Sequence, residues 1–246
     1  MYSLIATVSV FVATFLAEYI AKHEKLKLKN NIWEIILMVM LFGVIGARLY
    51  HVIDFFEYYK TNPIQILNFR AGGLAIYGGL IGGFIGAIIS SKVYAFSLYK
   101  FLDLVSIVLP LGQSIGRWGN FFNFELYGKP YNGILKLYIP NFARQSGFEN
   151  TSYYHPLFLY ESVLNLLLFF IIFAFWKKEK VKIGSLNFLY SYVLGYGLIR
   201  YTLEPLRINA WVFNNLNVAQ LISFILICIG CFGLLSNKIL LLKNKK

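Results

Sequence analysis

YSLIATVSVFVATFLAEYIA, residues Tyr2–Ala21, is followed at once by KHEKLKLK, residues Lys22–Lys29. Twenty residues with Glu18 as their one charge match the ~20 apolar residues that a bilayer-spanning helix needs. No basic stretch precedes this run, and a lysine cluster follows it. That flank order predicts a membrane span rather than a cleaved signal peptide. Six further stretches read the same way: Ile32–Ile53, Gly72–Ser91, Phe101–Gly116, Leu157–Trp176, Ile183–Leu203 and Val218–Leu242. The fourth is short and contains Pro110, which predicts a kink or a break. The composition agrees. Of 246 residues, 58 % are hydrophobic and 14 % charged, with a mean hydropathy of +0.62. A soluble domain carries about 25 % charged residues, so a cytosolic enzyme and a disordered chain are both excluded. The expectation is an all-α polytopic membrane protein with seven transmembrane helices. It forms a single transmembrane domain over residues 1–246, with an extracytoplasmic head segment at 117–156 between spans four and five.

The net charge of +12 resolves into two populations. Fourteen of 17 lysines lie after spans one, three and five or at the C-terminal end of span seven and beyond it; Lys60, Lys129 and Lys136 do not. By the positive-inside rule the lysine side is cytoplasmic, the N-terminus outside and the C-terminus inside. The charge is therefore topological and implies no nucleic-acid partner. The six arginines, Arg48, Arg70, Arg117, Arg144, Arg200 and Arg207, all fall at outer span ends or in outer connections. A guanidinium grips phosphate or carboxylate with two bonds, so outward arginines point to an anionic ligand at the outer leaflet. Arg70 and Arg144 read more simply as snorkelling or paired residues. Cys228 and Cys231 read as small apolar residues of the last span, without the partners of a metal site.

Four segments carry chemistry. Gly72–Gly83 opens span three with small-xxx-small spacings suited to close helix packing. Tyr77 stands in this glycine bed with no bulky sequence neighbour, and either faces a cavity or belongs to the interfacial aromatic belt. Gly116-Arg117-Trp118-Gly119-Asn120-Phe121-Phe122-Asn123-Phe124-Glu125 sets a cation, two amides and a carboxylate among aromatics. It reads as a head-group site in preference to a loop tied by its own hydrogen bonds. His155-Pro156 starts span five, and Glu161, a turn inside the apolar zone, needs a partner, plausibly an arginine. His155 reads as structural before it reads as a base. Arg200, Glu204 and Arg207 at i, i+4, i+7 share one face if the helix persists through Pro205. Two arginines around one glutamate leave a positive surplus. With Tyr2 at the start of span one, all of these fall at the outer end, as a pocket in the outer half of the bilayer would require.

In this order the motifs resemble those of the prolipoprotein diacylglyceryl transferase family, over nearly the whole chain. The quoted Gly116–Glu125 stretch matches its signature. His155–Glu161, Arg200/Glu204/Arg207, Gly46-Ala47-Arg48, Gln220–Ser223 and Tyr2-Ser3-Leu4 match its other motifs. Departures are Tyr77 where many members have histidine, Phe124 where glycine is common, Ile208-Asn209-Ala210 after the last arginine, and the absence of an N-terminal arm. The resemblance implies a bacterial cytoplasmic-membrane enzyme with its active site toward the outer leaflet. That enzyme moves diacylglyceryl from phosphatidylglycerol to the lipobox cysteine of a prolipoprotein, with membrane lipids around it and no cofactor or metal. It implies catalytic roles for Arg117, Arg200 and Tyr77. Phosphatidylglycerol would be held by Arg117, Asn120, Asn123, Glu125 and Tyr2. Glu204, Arg207, His155, Glu161 and Arg48 would gate or shape the site. Two other readings remain open from the residues: a transporter of an anionic metabolite, and a non-catalytic protein that binds anionic lipid.

Overall fold

Glycine governs the packing of the second and fourth helices. The computed structural model describes residues 1–69, 72–178, 181–208, 210–214 and 216–243, with backbone alone over 240–243. Arg70 lies outside them. The α-helices among these residues are α1 (Tyr2–His23), α2 (Ile32–Asp54), the short α3 (Phe56–Thr61), α4 (Ile76–Val93), α5 (Leu98–Phe122), α6 (Leu157–Lys177), α7 (Asn187–Leu203) and α8 (Val218–Lys243). Two small antiparallel hairpins join them. One pairs β1 (Leu137–Tyr138) with β2 (Tyr153–Tyr154), the other β3 (Val212–Phe213) with β4 (Leu216–Asn217). The chain divides into two units, Glu18–Phe101 and a larger one of Met1–Ala17 with Leu102–Lys246.

Six helices among the described residues are long and apolar enough to cross a membrane, which makes the chain a multi-pass membrane protein. The sixth expected span, Ile183–Leu203, is instead the 17-residue α7. Asp103 of α5 explains the late start. Its buried carboxylate accepts the backbone N–H groups of Gly184 (2.8 Å), Leu186 (2.9 Å) and Leu189 (3.0 Å). Gly184 (φ +104°) and Leu186 (φ +64°) take left-handed backbone in that turn, so residues 183–186 cannot be helical. A carboxylate at a helix N-terminus satisfies orphan donors and matches the helix dipole. From α8, Asn237 closes the same turn through Ser185 O (2.7 Å) and Asn187 Oδ1 (3.0 Å).

The expected break at Pro110 does not occur: α5 is continuous from Leu98 to Phe122. Proline costs the Ser106 carbonyl its helical donor, but flanking turns keep their bonds. The helix also carries the first residues of the expected head segment, Arg117–Phe122, as regular helix.

In the smaller unit, α2 and α4 meet backbone to backbone. A Cβ on Gly46 would sit 2.8 Å from Gly82 Cα, and one on Gly82 would meet Phe42 O and lie 3.0 Å from Gly46 Cα. The glycine-rich opening of span three is thus a packing surface. By contrast a Cβ on Gly79 would find Ala47 Cβ at an ordinary 3.7 Å. We expect Gly82→Ala to lower stability by about 1–3 kcal/mol through overpacking. Gly79→Ala should leave it unchanged or raise it slightly, because alanine is the better helix former. Thermal unfolding of both variants in detergent checks this. Equal melting temperatures for the pair would contradict it.

Candidate active site

Glu161 lies on α6 among residues that face the interior at helical spacing, Phe158, Ser162, Asn165 and Phe169. Only 2 % of it is exposed, and three arginines converge on its two oxygens. Arg117 of α5 brings Nε to 2.7 Å of Oε2. Arg207 donates from a terminal nitrogen to Oε1 at 3.1 Å, and Arg200 of α7 stands 3.6 Å from the same oxygen. Glu204, equally buried, takes Arg200 at 2.9 Å and Arg207 at 3.5 Å on Oε2. The arginine side chains are 21–25 % exposed against 2 % for the two glutamates, so the carboxylates are the more deeply buried partners. Three formal positive charges against two negative leave a surplus of one. The Arg117 Nε contact is close without being an aligned hydrogen bond. Among the described residues, its two terminal nitrogens donate no hydrogen bond to the protein, and a guanidinium's planar pair of donors is suited to phosphate.

The sequence expectation for Glu161 is met three times over. The i, i+4, i+7 face is not formed as expected: α7 ends at Leu203, a 3-10 turn covers Glu204–Leu206, and Arg207 is extended. The proline is admitted because it falls at the start of that turn. Arg207 reaches the cluster by another route. Gly128 pairs with it in an antiparallel bridge, and Lys129 N–H donates to Leu206 O at 2.8 Å. A Cβ on Gly128 would sit 2.7 Å from Leu206 O. This stitch escaped the sequence reading because a glycine in a connection signals a turn, not its partner.

The signature's polar residues form a tight turn after α5. Asn120 and Asn123 both donate to Glu125, each at 3.3 Å, and Glu125 N–H returns to Asn120 O at 2.8 Å. The motif is thus tied by its own hydrogen bonds, as an ordinary loop would be. Asn123 and Glu125 are nonetheless exposed, and their hydrogen bonds are long. Phe124 (φ +53°) and Leu126 (φ +55°) flank Glu125 in left-handed backbone. Glycine enters that region without strain, so Phe124 holds a backbone conformation that suits glycine better. Tyr2 lies against this motif, where a Cβ on Gly119 would meet its ring at 2.9 Å.

His155 is built into the structure. Its ring stacks on Tyr131 (centroids 3.9 Å apart) and its backbone pairs with Gly128 and Lys129. Burial pushes its pKa down, favouring the neutral ring. Arg144 donates to Ile139 O, Glu149 O and Ser152 Oγ, tying the loop around the Tyr127–Ile139–Tyr154 core. In the other unit, Arg48 is buried. Its guanidinium donates to the carbonyls of Gln65, Ile66, Asn68, Gly72 and Gly73, so it organises that segment. Tyr77, expected to lack a bulky neighbour, packs against Tyr50 with ring centroids 6.4 Å apart.

A second polar layer escaped the sequence reading. Gln113, one turn before Arg117, donates to Tyr192 of α7 at 2.9 Å, and Asn165, one turn after Glu161, donates to Glu161 O at 2.8 Å. Their i−4 and i+4 offsets from charged residues were the available signal.

The fold and this cluster define a class: a multi-pass membrane protein that carries a carboxylate-anchored set of arginines. Comparison narrows the class. A family profile described as prolipoprotein diacylglyceryl transferase matches residues 1–236. Three relatives named phosphatidylglycerol–prolipoprotein diacylglyceryl transferase align over most of their length. That of Acaryochloris marina is 36 % identical over 95 % of this chain and 84 % of its own. That of Thermotoga maritima is 37 % identical over 95 % and 79 %, and that of Staphylococcus aureus 38 % over 93 % and 81 %. The chain belongs to the prolipoprotein diacylglyceryl transferase family.

Removing a buried partner from a charge cluster costs about 3–5 kcal/mol when the opposite charges stay behind. We expect Glu161→Ala to lose about 3 kcal/mol, toward the low end because the arginines are partly hydrated. Thermal unfolding in detergent measures it. Wild-type stability would contradict the anchoring role.

Proposed function

We propose that this chain transfers the diacylglyceryl group of phosphatidylglycerol to the lipobox cysteine thiol of prolipoproteins. The observation that carries the reading is the Arg117 fork, set over a buried carboxylate beside two more arginines. The cysteine sulfur attacks the phosphate-bearing carbon of the diacylglyceryl moiety. A C–S bond forms as that carbon's C–O bond breaks, glycerol 1-phosphate leaves with the bonding pair, and the thiol proton passes to water or to the departing phosphate. Negative charge gathers on the leaving phosphate, and fixed guanidiniums in a water-poor site stabilise that charge without reorganising.

Arg117 and Arg200 take the phosphate in this scheme, with Arg207 and Glu204 holding Arg200 in register. Asn120, Asn123 and Glu125 take the glycerol hydroxyls by exchanging their long mutual bonds for bonds to the head group, and Tyr2 borders them. His155 is assigned to the frame. Tyr77 is assigned to orienting thiol or phosphate, since a tyrosine hydroxyl is a poor base at neutral pH. Seven spans, with α7 as the sixth, place the lysine-rich connections in the cytoplasm. The arginine motifs and the head segment then face the outer leaflet of a bacterial cytoplasmic membrane.

The test is mass spectrometry of a lipobox peptide incubated with the reconstituted protein and phosphatidylglycerol. The expected product is the diacylglyceryl thioether, and Arg200→Ala should cut its rate by about 10²–10³. Lipid binding without product from folded protein would favour a lipid-binding role instead.

A further inference from the structure

We infer that Gln113 and Tyr192 are positioning residues for the transfer proposed above: the hydrogen bond between them sets the spacing of Arg117 on α5 and Arg200 on α7. This rests on that reaction, in which both arginines take the phosphate. Gln113 stands one turn, about 6 Å, before Arg117 on α5. Tyr192 stands two turns, about 12 Å, before Arg200 on the same side of α7. Gln113 Nε2 donates to the Tyr192 hydroxyl at 2.9 Å. The Tyr192 ring is held in turn by Tyr196, nearly parallel to it with centroids 5.8 Å apart. Of the hydrogen bonds between α5 and the α7 region among the described residues, those of Asp103 lie at the start of α7, and the Gln113–Tyr192 bond is the one nearer the arginines.

The arginines need such a tie. Arg200 stands 3.6 Å from Glu161, a looser contact than the 2.7 Å of Arg117. Glu204, four residues after Arg200 in the chain, orients that side chain but does not fix α7 against α5. Two guanidiniums must meet one phosphate, and a misplacement of about 1 Å costs up to ~10²-fold in rate. The fold itself has less need of the pair. Gln113 Oε1 is buried and accepts no hydrogen bond, which costs free energy that an apolar side chain would not incur. An apolar pair of the same shape would serve packing as well or better. An amide kept at that cost beside the arginines is explained by where it holds the two helices.

The test compares wild type with the paired variant Gln113→Leu/Tyr192→Phe, which removes both partners and leaves neither unpaired. Its melting temperature in detergent should equal or exceed that of wild type. Its kcat for thioether formation should fall about 10–100-fold at unchanged KM. In an Arg200→Ala background the same pair of substitutions should cost little further, because no second arginine remains to be spaced. Unchanged kcat, a melting temperature that falls along with the rate, or an equal fold-loss in both backgrounds would each overturn the inference. Spin labels on Phe122→Cys of α5 and Tyr201→Cys of α7, both exposed positions, read the helix spacing without turnover once Cys228→Ala and Cys231→Ala remove the native thiols. The paired variant should shift or broaden their distance distribution, and an unchanged distribution would contradict the tie. A shifted distribution beside absent transfer by wild type would strike the proposed reaction and spare the tie.

Discussion

A carboxylate buried in an apolar helix bundle is tolerated only with opposite charge in contact. Glu161, 2 % exposed, meets that demand with three arginines drawn from α5, from the end of α7 and from the strand-like residue after it. The consequence runs in both directions. The carboxylate is stabilised by the arginines. The arginines, which would otherwise repel one another, are fixed a few ångströms apart with part of their donor capacity unspent. A phosphate entering such a cluster meets charge that is already oriented, which is the condition for electrostatic catalysis in a water-poor site.

Much of the larger unit serves that placement. Asp103 determines where α7 begins and so the height at which Arg200 ends it. The Gly128–Arg207 bridge brings the extended residue after the 3-10 turn back to Glu161. Closely packed glycines at Gly195, Gly197, Gly230 and Gly233 bring α6, α7 and α8 together. A Cβ at Gly230, for example, would sit 2.7 Å from Leu194 Cβ. Small residues give a membrane helix pair its contact area where no hydrophobic driving force separates helix from lipid.

The sequence made the helical architecture legible because apolar length and lysine bias are direct readouts of a bilayer. It also exposed the need of Glu161 for a cation, since an ionised group inside an apolar run demands one. Other features depended on distant partners. The start of α7 was misjudged because residues 183–186 read as apolar span, while their backbone is captured by an aspartate on α5. Of the kink or break expected at Pro110, the break does not occur, because a helix runs on past one lost hydrogen bond when its flanking turns keep theirs. The continuous helical face through Pro205 failed too, yet Arg200, Glu204 and Arg207 still met, since the 3-10 turn kept both ion pairs to Glu204. Arg48, expected to gate or shape the site, spends its guanidinium on five backbone carbonyls, partners that no sequence pattern announces.

The central claim is that Arg117 works through its planar fork and not through charge alone. The most direct measurement is the transfer rate of the Arg117→Lys variant, compared with wild type at equal folded protein and saturating phosphatidylglycerol. Lysine keeps the charge and loses the paired donors. The account predicts a rate lower by about 10²-fold or more. A rate within about twofold of wild type would mean that a point charge suffices there and that the fork is not what the cluster is built to present.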